Sequence, residues 1–269
     1  MANSKIVQGH QARKRFGQNF LSDNHYISRI VDSIAPQRHD HIVEIGPGLG
    51  AITEHLVESA GKLDVVELDR DLIPRLENKF ANHDNFTIHQ SDALKFDFTQ
   101  LEENEQKLRI VGNLPYNIST PLIFHLLNQR HVIHDMYFML QKEVVERLCA
   151  SPSTKQYGRL SVMAQYFCET AMLFVVPPGA FSPAPKVDSA IVRLMPHTHI
   201  KNPVKDSKLL SQIVTAAFNQ RRKTIRNSLK DWLGQDDFEQ LGLKATERAE
   251  RLSLNDFVSI CHFVEAHQI

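Results

Sequence analysis

The sequence predicts an α/β protein: a largely parallel sheet flanked by helices, an antiparallel hairpin at its edge, and a small all-helical C-terminal domain. Three observations carry this expectation. Between His41 and Leu148, short apolar runs alternate with segments of helical periodicity, the pattern of successive βαβ units. Two further apolar runs, 172–176 and 190–194, have no room for a helix between them, so they are expected to pair antiparallel. From about Asn202 onward the periodicity is helical and contains no convincing strand. The expected domains are residues 1–200 and 201–269.

The elements follow in order. A helix is expected from Asp23, with Ile27, Ile30, Val31 and Ile34 on one face, ended by Pro36. Residues 41–45 read as a strand, followed by Gly46-Pro47-Gly48-Leu49-Gly50 and a helix carrying Ile52, Leu56 and Val57. Strand 63–68 and helix 71–80 come next, then strand 86–89, which closes on Ser91-Asp92. Strand 108–111 runs into Asn113-Leu114-Pro115-Tyr116, a loop stiffened by the fixed φ of Pro115 and its restriction of Leu114. Helix 120–127, strand 136–140 and helices 142–148 and 160–167 precede the edge pair, whose runs are joined by Pro177-Pro178-Gly179 through Pro185. The helices of the second domain are expected at 209–218, 222–233, 236–241 and 254–267.

Composition narrows the function classes. With 269 residues, 42% hydrophobic and 23% charged, the chain is ordinary for a globular protein. Its three cysteines are widely spaced and form no C-x-x-C, so neither a disulfide framework nor a zinc site is expected. The fourteen histidines show no H-E-x-x-H spacing, and no metal is expected. No run reaches membrane-spanning length and the N-terminus lacks a signal-like apolar core, so the expectation is a cytoplasmic protein. The zero net charge hides an asymmetry. Residues 1–30 hold Lys5, Arg13, Lys14, Arg15 and Arg29 against Asp23 alone. Residues 201–230 hold eight cations, including Arg221, Arg222, Lys223 and Arg226, against Asp206 alone. Two basic surfaces around an acidic body suit a polyanionic partner.

In an open α/β sheet, ligands bind beyond the carboxyl ends of the strands, and chemistry-bearing groups fall there in this chain. The run Glu44-Ile45-Gly46-Pro47-Gly48-Leu49-Gly50 departs from a dinucleotide G-x-G-x-x-G and fits a nucleoside without a pyrophosphate. Glu67 ends the next strand, where a carboxylate can accept from both ribose hydroxyls; Asp69 competes for this role, and either could cap the following helix. Asp92 could accept from an adenine amino group or cap its turn. In the Asn113 loop, an amide oxygen, the Leu114 carbonyl and the Tyr116 ring suit a planar base bearing an exocyclic amine.

Taken together, the chain resembles the ribosomal RNA adenine dimethyltransferases, and most of all the bacterial small-subunit branch linked to kasugamycin sensitivity. The blocks that carry the resemblance are Phe16-Gly17-Gln18-Asn19-Phe20-Leu21, Glu44 to Gly50, Val66-Glu67-Leu68-Asp69, Ser91-Asp92-Ala93, Asn113 to Thr120, Tyr157 to Val162 and Phe181 to Ser189. The resemblance implies a Rossmann-like class I methyltransferase sheet. It implies S-adenosylmethionine as methyl donor, contacted by Asn19, Leu21, Gly46, Glu67, Asp92 and Asn113. It implies that Asn113, Leu114, Tyr116 and Phe181 form the catalytic site, with Phe181 facing Tyr116 across the target adenine. Phe181 sits among prolines, where the sequence reads as an exposed ring; the alternative is a buried loop anchor.

The implied reaction dimethylates two adjacent adenines in a loop near the 3′ end of small-subunit (16S) ribosomal RNA, within a pre-30S particle, by a monomer. Lys14, Arg15, Arg221, Arg222, Lys223 and Arg226 are the expected phosphate contacts. Three rivals are a DNA adenine methyltransferase, a large-subunit dimethylase conferring antibiotic resistance, and an assembly factor acting mainly by binding. The N-terminal block, the helical tail containing Ala217-Phe218-Asn219-Gln220-Arg221-Arg222-Lys223-Thr224, and the intact Asn113–Tyr116 motif argue against each in turn.

Overall fold

This computed structural model describes residues 6–7, 10–11, 18–220 and 222–267, with side chains from residue 18 onward. Lys14, Arg15 and Arg221, expected to contact phosphate, lie outside the described residues. The chain divides into two compact units, Met1–Val145 with Ala171–Pro196, and Glu146–Thr170 with His197–Ile269.

The first unit begins with two short strands, β1 (Ile6–Val7) and β2 (His10–Gln11), paired antiparallel, followed by β3 (Phe20–Leu21). Helix α1 (Asn24–Ile34) starts where the Asp23 carboxylate accepts the N–H groups of His25 and Tyr26, and it buries Ile27, Ile30 and Ile34. Ala35 closes it in the left-handed region at φ 47°, and Pro36 prevents its continuation.

The main sheet is built by β4 (His41–Ile45), β5 (Lys62–Glu67), β6 (Phe86–Gln90), β7 (Leu108–Asn113), β8 (Ile133–Gln141), β9 (Cys168–Val176) and, after the short β10 (Phe181–Ser182), β11 (Ser189–Pro196). Helices α2 (Thr53–Ser59), α3 (Ile73–Lys79), α4 (Ser119–Asn128) and α5 (Lys142–Leu148) alternate with the strands. The order across the sheet is β6-β5-β4-β7-β8-β11-β9. Strands β6 through β8 are mutually parallel, and β11 runs antiparallel to β8. The edge pair predicted from 172–176 and 190–194 is present as neighbours β9 and β11. The inner strands read as continuous apolar runs because both sheet faces are covered; Ile42, Val43, Val65, Ile110, Val111 and Phe138 are all buried.

This order fixes where a ligand can sit. From β4 the chain winds outward through β5 to β6, then returns to β7 on the other side of β4. The crevice at that reversal opens beyond the carboxyl ends of the strands.

The second unit contains α6 (Arg159–Phe167), α7 (Ser207–Phe218), α8 (Ile225–Ser228), α9 (Gln235–Gln240) and α10 (Leu254–His267). Helix α7 packs on α6 and α10, and Phe218 meets Tyr157 and Phe257 at ring-centroid distances of 6.0 and 5.7 Å. Two expectations are corrected here. Residues 146–170, read as part of the sheet domain, belong to this unit, because α6 buries Leu160, Val162 and Met163 and contributes its face to α7 and α10. The single helix expected over 222–233 is only the short α8. The N–H groups of Ile225 and Arg226 bond the carbonyls of Glu247 and Ala245, so tertiary pairing captures the backbone that a longer helix would use.

Candidate active site

One cavity of about 320 Å³ lies at the topological reversal, and residues from five stretches line it: 18–21, 44–52, 66–68, 91–94 and 113–118. Asn19, Leu21, Gly46, Glu67, Asp92, Asn113, Leu114 and Tyr116 are all among them.

The first stretch reaches the site by long-range pairing. Strand β3 lies antiparallel to β10, with Phe181 opposite Leu21 and Ser182 opposite Phe20. The N–H of Ser22 donates to the Ala180 carbonyl at 2.9 Å and extends this ribbon. Asn19 is thereby brought to the end of β7, where its carbonyl accepts from the Asn113 side-chain nitrogen at 3.0 Å.

The glycine turn after β4 needs its glycines. Gly46 and Gly48 have φ of +68° and +60°, and a Cβ at Gly48 would meet the Phe20 ring at 3.1 Å. The Gly46 N–H donates to the Val66 carbonyl at 2.9 Å, which ties the turn to β5. Below it Glu44 is 2% exposed, and the Thr53 hydroxyl donates to its carboxyl at 2.6 Å. Burial pushes the Glu44 carboxyl up to about 7; the Thr53 bond opposes that rise and the charge of Glu67 adds to it.

The structure separates the two acidic groups after β5. Glu67 lines the cavity, is 6% exposed and accepts the Asp69 N–H at 2.7 Å. Burial raises its carboxyl above the ordinary range, against the hydrogen bonds it accepts from the backbone at Asp69 and Gly48. Asp69 is absent from the cavity lining; it accepts from the Gln18 side chain at 2.9 Å and from the Asp71 N–H at 3.3 Å. Between them, Leu68 is 50% exposed and forms an apolar part of the lining. Asp92 lines the cavity and also caps its turn, accepting the Leu94 N–H at 3.0 Å.

The loop after β7 carries the remaining groups. Leu114 is buried and its N–H donates to the Met139 carbonyl at 3.2 Å. Tyr116 is half-buried; its hydroxyl lies 2.9 Å from the Ser189 hydroxyl, and its carbonyl accepts from Ser119. Burial raises the Tyr116 phenol above its usual range.

Phe181 is a correction. The expected exposed ring is 5% exposed and belongs to the apolar cluster of Leu21, Ile27, Ile30 and Val176, outside the cavity lining. Its pairing with Leu21 draws the ring inward, so in this structure it anchors the β3–β10 ribbon. Sequence reasoning also passed over Gln18, Thr53 and Ser189. Gln18 and Ser189 stood inside the family-like blocks, but their partners are remote in sequence.

Arg222, Lys223 and Arg226 are exposed in the second unit, and Arg226 also donates to Gln235 at 2.9 Å. Among the described residues, no group of three or more His, Cys, Asp or Glu side chains is placed to hold a metal ion, and no helix is long and apolar enough to cross a membrane.

Comparison with known proteins gives the following similarities. The family described as "Ribosomal RNA adenine dimethylase" matches residues 9–266. "Ribosomal RNA small subunit methyltransferase A" of Marinobacter nauticus is 60% identical over 252 residues, covering 94% of this chain and 91% of that protein. The protein of the same name from a Marinomonas species is 57% identical over 257 residues, covering 96% and 97%. A dimethyladenosine transferase from Plasmodium falciparum has a crystal structure that superposes with a TM-score of 0.81 at 25% identity, covering 93% of this chain and 98% of that one. The 23S rRNA methyltransferase ErmE shares the fold, with a TM-score of 0.70 at 24% identity over 92% of this chain and all of its own.

Proposed function

The chain belongs to the ribosomal RNA adenine dimethylase family, and from that premise we propose that its cavity holds S-adenosylmethionine beside a loop that presents the target adenine. The protein is an rRNA adenine dimethyltransferase that methylates small-subunit ribosomal RNA. The assignment of its residues is our reading.

The residues fit that donor. Glu67 offers a buried carboxylate suited to two ribose hydroxyls, and Leu68 offers an apolar surface to a base. Asp92 suits an exocyclic amine, while the glycines at 46 and 48 let a ligand approach the backbone closely. Asn19 and Leu21 complete the lining from the N-terminal stretch. When bound, the donor supplies an electrophilic methyl group on a sulfonium.

The protein's task is to aim a weak nucleophile. An adenine amino group has its lone pair delocalised into the ring. In our reading the Asn113 side-chain oxygen and the Leu114 carbonyl accept its two N–H groups, which favours a pyramidal nitrogen with its lone pair directed at the methyl. Tyr116 stacks on the base and excludes water from it. Alignment for in-line displacement supplies several kcal/mol. No general base is required before transfer, because the methylated ammonium is strongly acidic; Asn113 acts as an acceptor and orienter. The buried Phe181 holds β3, and through it Asn19, in place.

We place the reaction on two adjacent adenines near the 3′ end of the RNA, in a cytoplasmic pre-30S particle, with the chain acting as a monomer. A base must leave its stack to enter the site, so a loop or a flipped nucleotide is the substrate. Lys14, Arg15, Arg221, Arg222, Lys223 and Arg226 would neutralise phosphates around it.

The observation that supports this reading best is the convergence of Glu67, Asp92 and Asn113 on one cavity. The test is transfer of labelled methyl from S-adenosylmethionine to unmodified small-subunit particles, naked small-subunit RNA and large-subunit RNA, with products identified by mass spectrometry. Dimethyladenosine in the particles is expected. Preferential labelling of large-subunit RNA would favour the resistance-type reading. Particle binding without transfer would favour a binding factor.

A further inference from the structure

Ser189 is buried to 1% exposure at the first position of β11, where its hydroxyl oxygen lies 2.9 Å from that of Tyr116. Either hydroxyl can donate to the other. The contact joins segments 73 residues apart, and it grips the tyrosine at the end of the ring furthest from its backbone. A ring held only at Cβ turns about two side-chain torsions; one held at the hydroxyl as well has a fixed Cβ–Oη axis, so χ1 is set and only rotation about that axis remains.

The anchor itself is rigid. Ser189 is opposite Gln141 in a six-pair antiparallel register between β11 and β8 that runs to Leu194 opposite Met136. The Lys142 N–H donates to the Asp188 carbonyl at 3.0 Å, carrying the pairing one step past Ser189. Asn113 is registered on the same strand from its other side, opposite Met139. Strand β8 is therefore a common ruler for the amide taken to orient the amine and for the anchor of the stacking ring.

We propose that Ser189 is a positioning residue for methyl transfer: by tethering the Tyr116 hydroxyl it fixes where the ring lies beside Asn113, with its largest effect on the second methylation. The proposal rests on the reading of Tyr116 as the platform for the target base. In the first transfer the unmodified amine offers two N–H groups to two acceptors. After it, one N–H remains, so hydrogen bonding constrains the base less and the placement of the stacking ring carries more of the alignment. In the second step the nitrogen lone pair forms the new N–C bond as the methyl's bond to the sulfonium sulfur breaks, leaving a thioether. The dimethylammonium proton then departs to water. A ring free to swing about χ1 would slow this step more than the first.

The experiment measures single-turnover transfer to unmodified small-subunit particles at saturating S-adenosylmethionine. Ser189→Ala, Tyr116→Phe, their double variant, Ser189→Thr and Tyr116→Ala are compared with the wild type, and mono- and dimethyladenosine are separated by mass spectrometry. Ser189→Ala and Tyr116→Phe should each slow the second transfer by about two- to tenfold, the fold-change equivalent of one neutral hydrogen bond. The double variant should be no slower than either single one, since both remove the same bond. Monomethyladenosine should accumulate in all three, and Ser189→Thr, which restores the hydroxyl, should recover most of the dimethyl product. A loss of folding in Ser189→Ala would leave Tyr116→Phe, which keeps the ring and every other group, to decide by its product ratio. The proposal is overturned if Tyr116→Phe yields wild-type rates and product ratios, or if Ser189→Ala slows the Tyr116→Phe enzyme by the same factor as the wild type. Wild-type transfer by Tyr116→Ala would instead remove the tyrosine from base recognition altogether.

Discussion

The side-chain nitrogen of Asn113 donates to the main-chain carbonyl of Asn19 at 3.0 Å, across a separation of 94 residues. Because the nitrogen is committed to that carbonyl, the oxygen of the same amide is the group left to accept. The contact thus sets the polarity of Asn113 at the end of β7.

Asn113→Ala should lower single-turnover methyl transfer by on the order of a hundredfold, the scale set by misalignment at a reacting centre. Particle affinity should be unchanged, and saturating S-adenosylmethionine separates the effect from any loss of donor binding. Asn113→Asp should also be impaired, since it sets a carboxylate oxygen against the Asn19 carbonyl with no hydrogen between them. Transfer at the wild-type rate by Asn113→Ala would end the orienting role.

Glu67→Ala should weaken S-adenosylmethionine binding by about 1.5–3 kcal/mol, the range for hydrogen bonds to a charged group. Asp69→Ala should act differently. Asp69 accepts from Gln18 and from the Asp71 N–H, so its loss should lower the melting temperature more than donor affinity. Titration calorimetry of both variants distinguishes them, and the reverse pattern would exchange their roles.

Replacing Arg221, Arg222 and Lys223 by alanine should reduce particle affinity and make the log–log salt slope shallower, by about 0.7–0.9 for each phosphate that is no longer neutralised. Binding of S-adenosylmethionine should be unaffected. An unchanged slope would mean that the cluster does not touch phosphate.

Glu44 predicts a pH dependence of stability. Its folded-state carboxyl is raised from 4.5 to about 7 by burial. The folded protein therefore holds a proton that the unfolded chain releases, and stability is full below about 4.5 and is lost as pH rises towards 7. The loss amounts to about 3 kcal/mol at pH 8. Glu44→Gln keeps an acceptor for the Thr53 hydroxyl and carries no charge. Its advantage in urea unfolding should be small at pH 4.5 and largest at pH 8. An equal advantage at both values would place the ionisation elsewhere.

The sequence by itself determined the sheet, most of its helices and the end of the sheet at which Glu67, Asp92 and Asn113 gather. Apolar runs at 41–45, 63–68 and 108–111 make buried strands wherever the rest of the chain lies, because burial on both faces needs no particular neighbour. A parallel sheet then places Glu67, Asp92 and Asn113 at the same end, since every strand points the same way. What those groups do to one another was decided only in three dimensions. Glu67 and Asp69 are equivalent on paper, two acids on one strand face, until Gln18 engages Asp69 and leaves Glu67 to the cavity. Phe181 reads as an exposed ring among prolines until its pairing with Leu21 draws it into the core. Residues 222–233 have helical periodicity throughout, yet the carbonyls of Ala245 and Glu247 take up part of their backbone. Ser189 carries no local signal that it holds Tyr116. Periodicity reports what a segment buries, whereas hydrogen-bond partners between distant segments depend on how the whole chain closes, and that is where this site acquired its geometry.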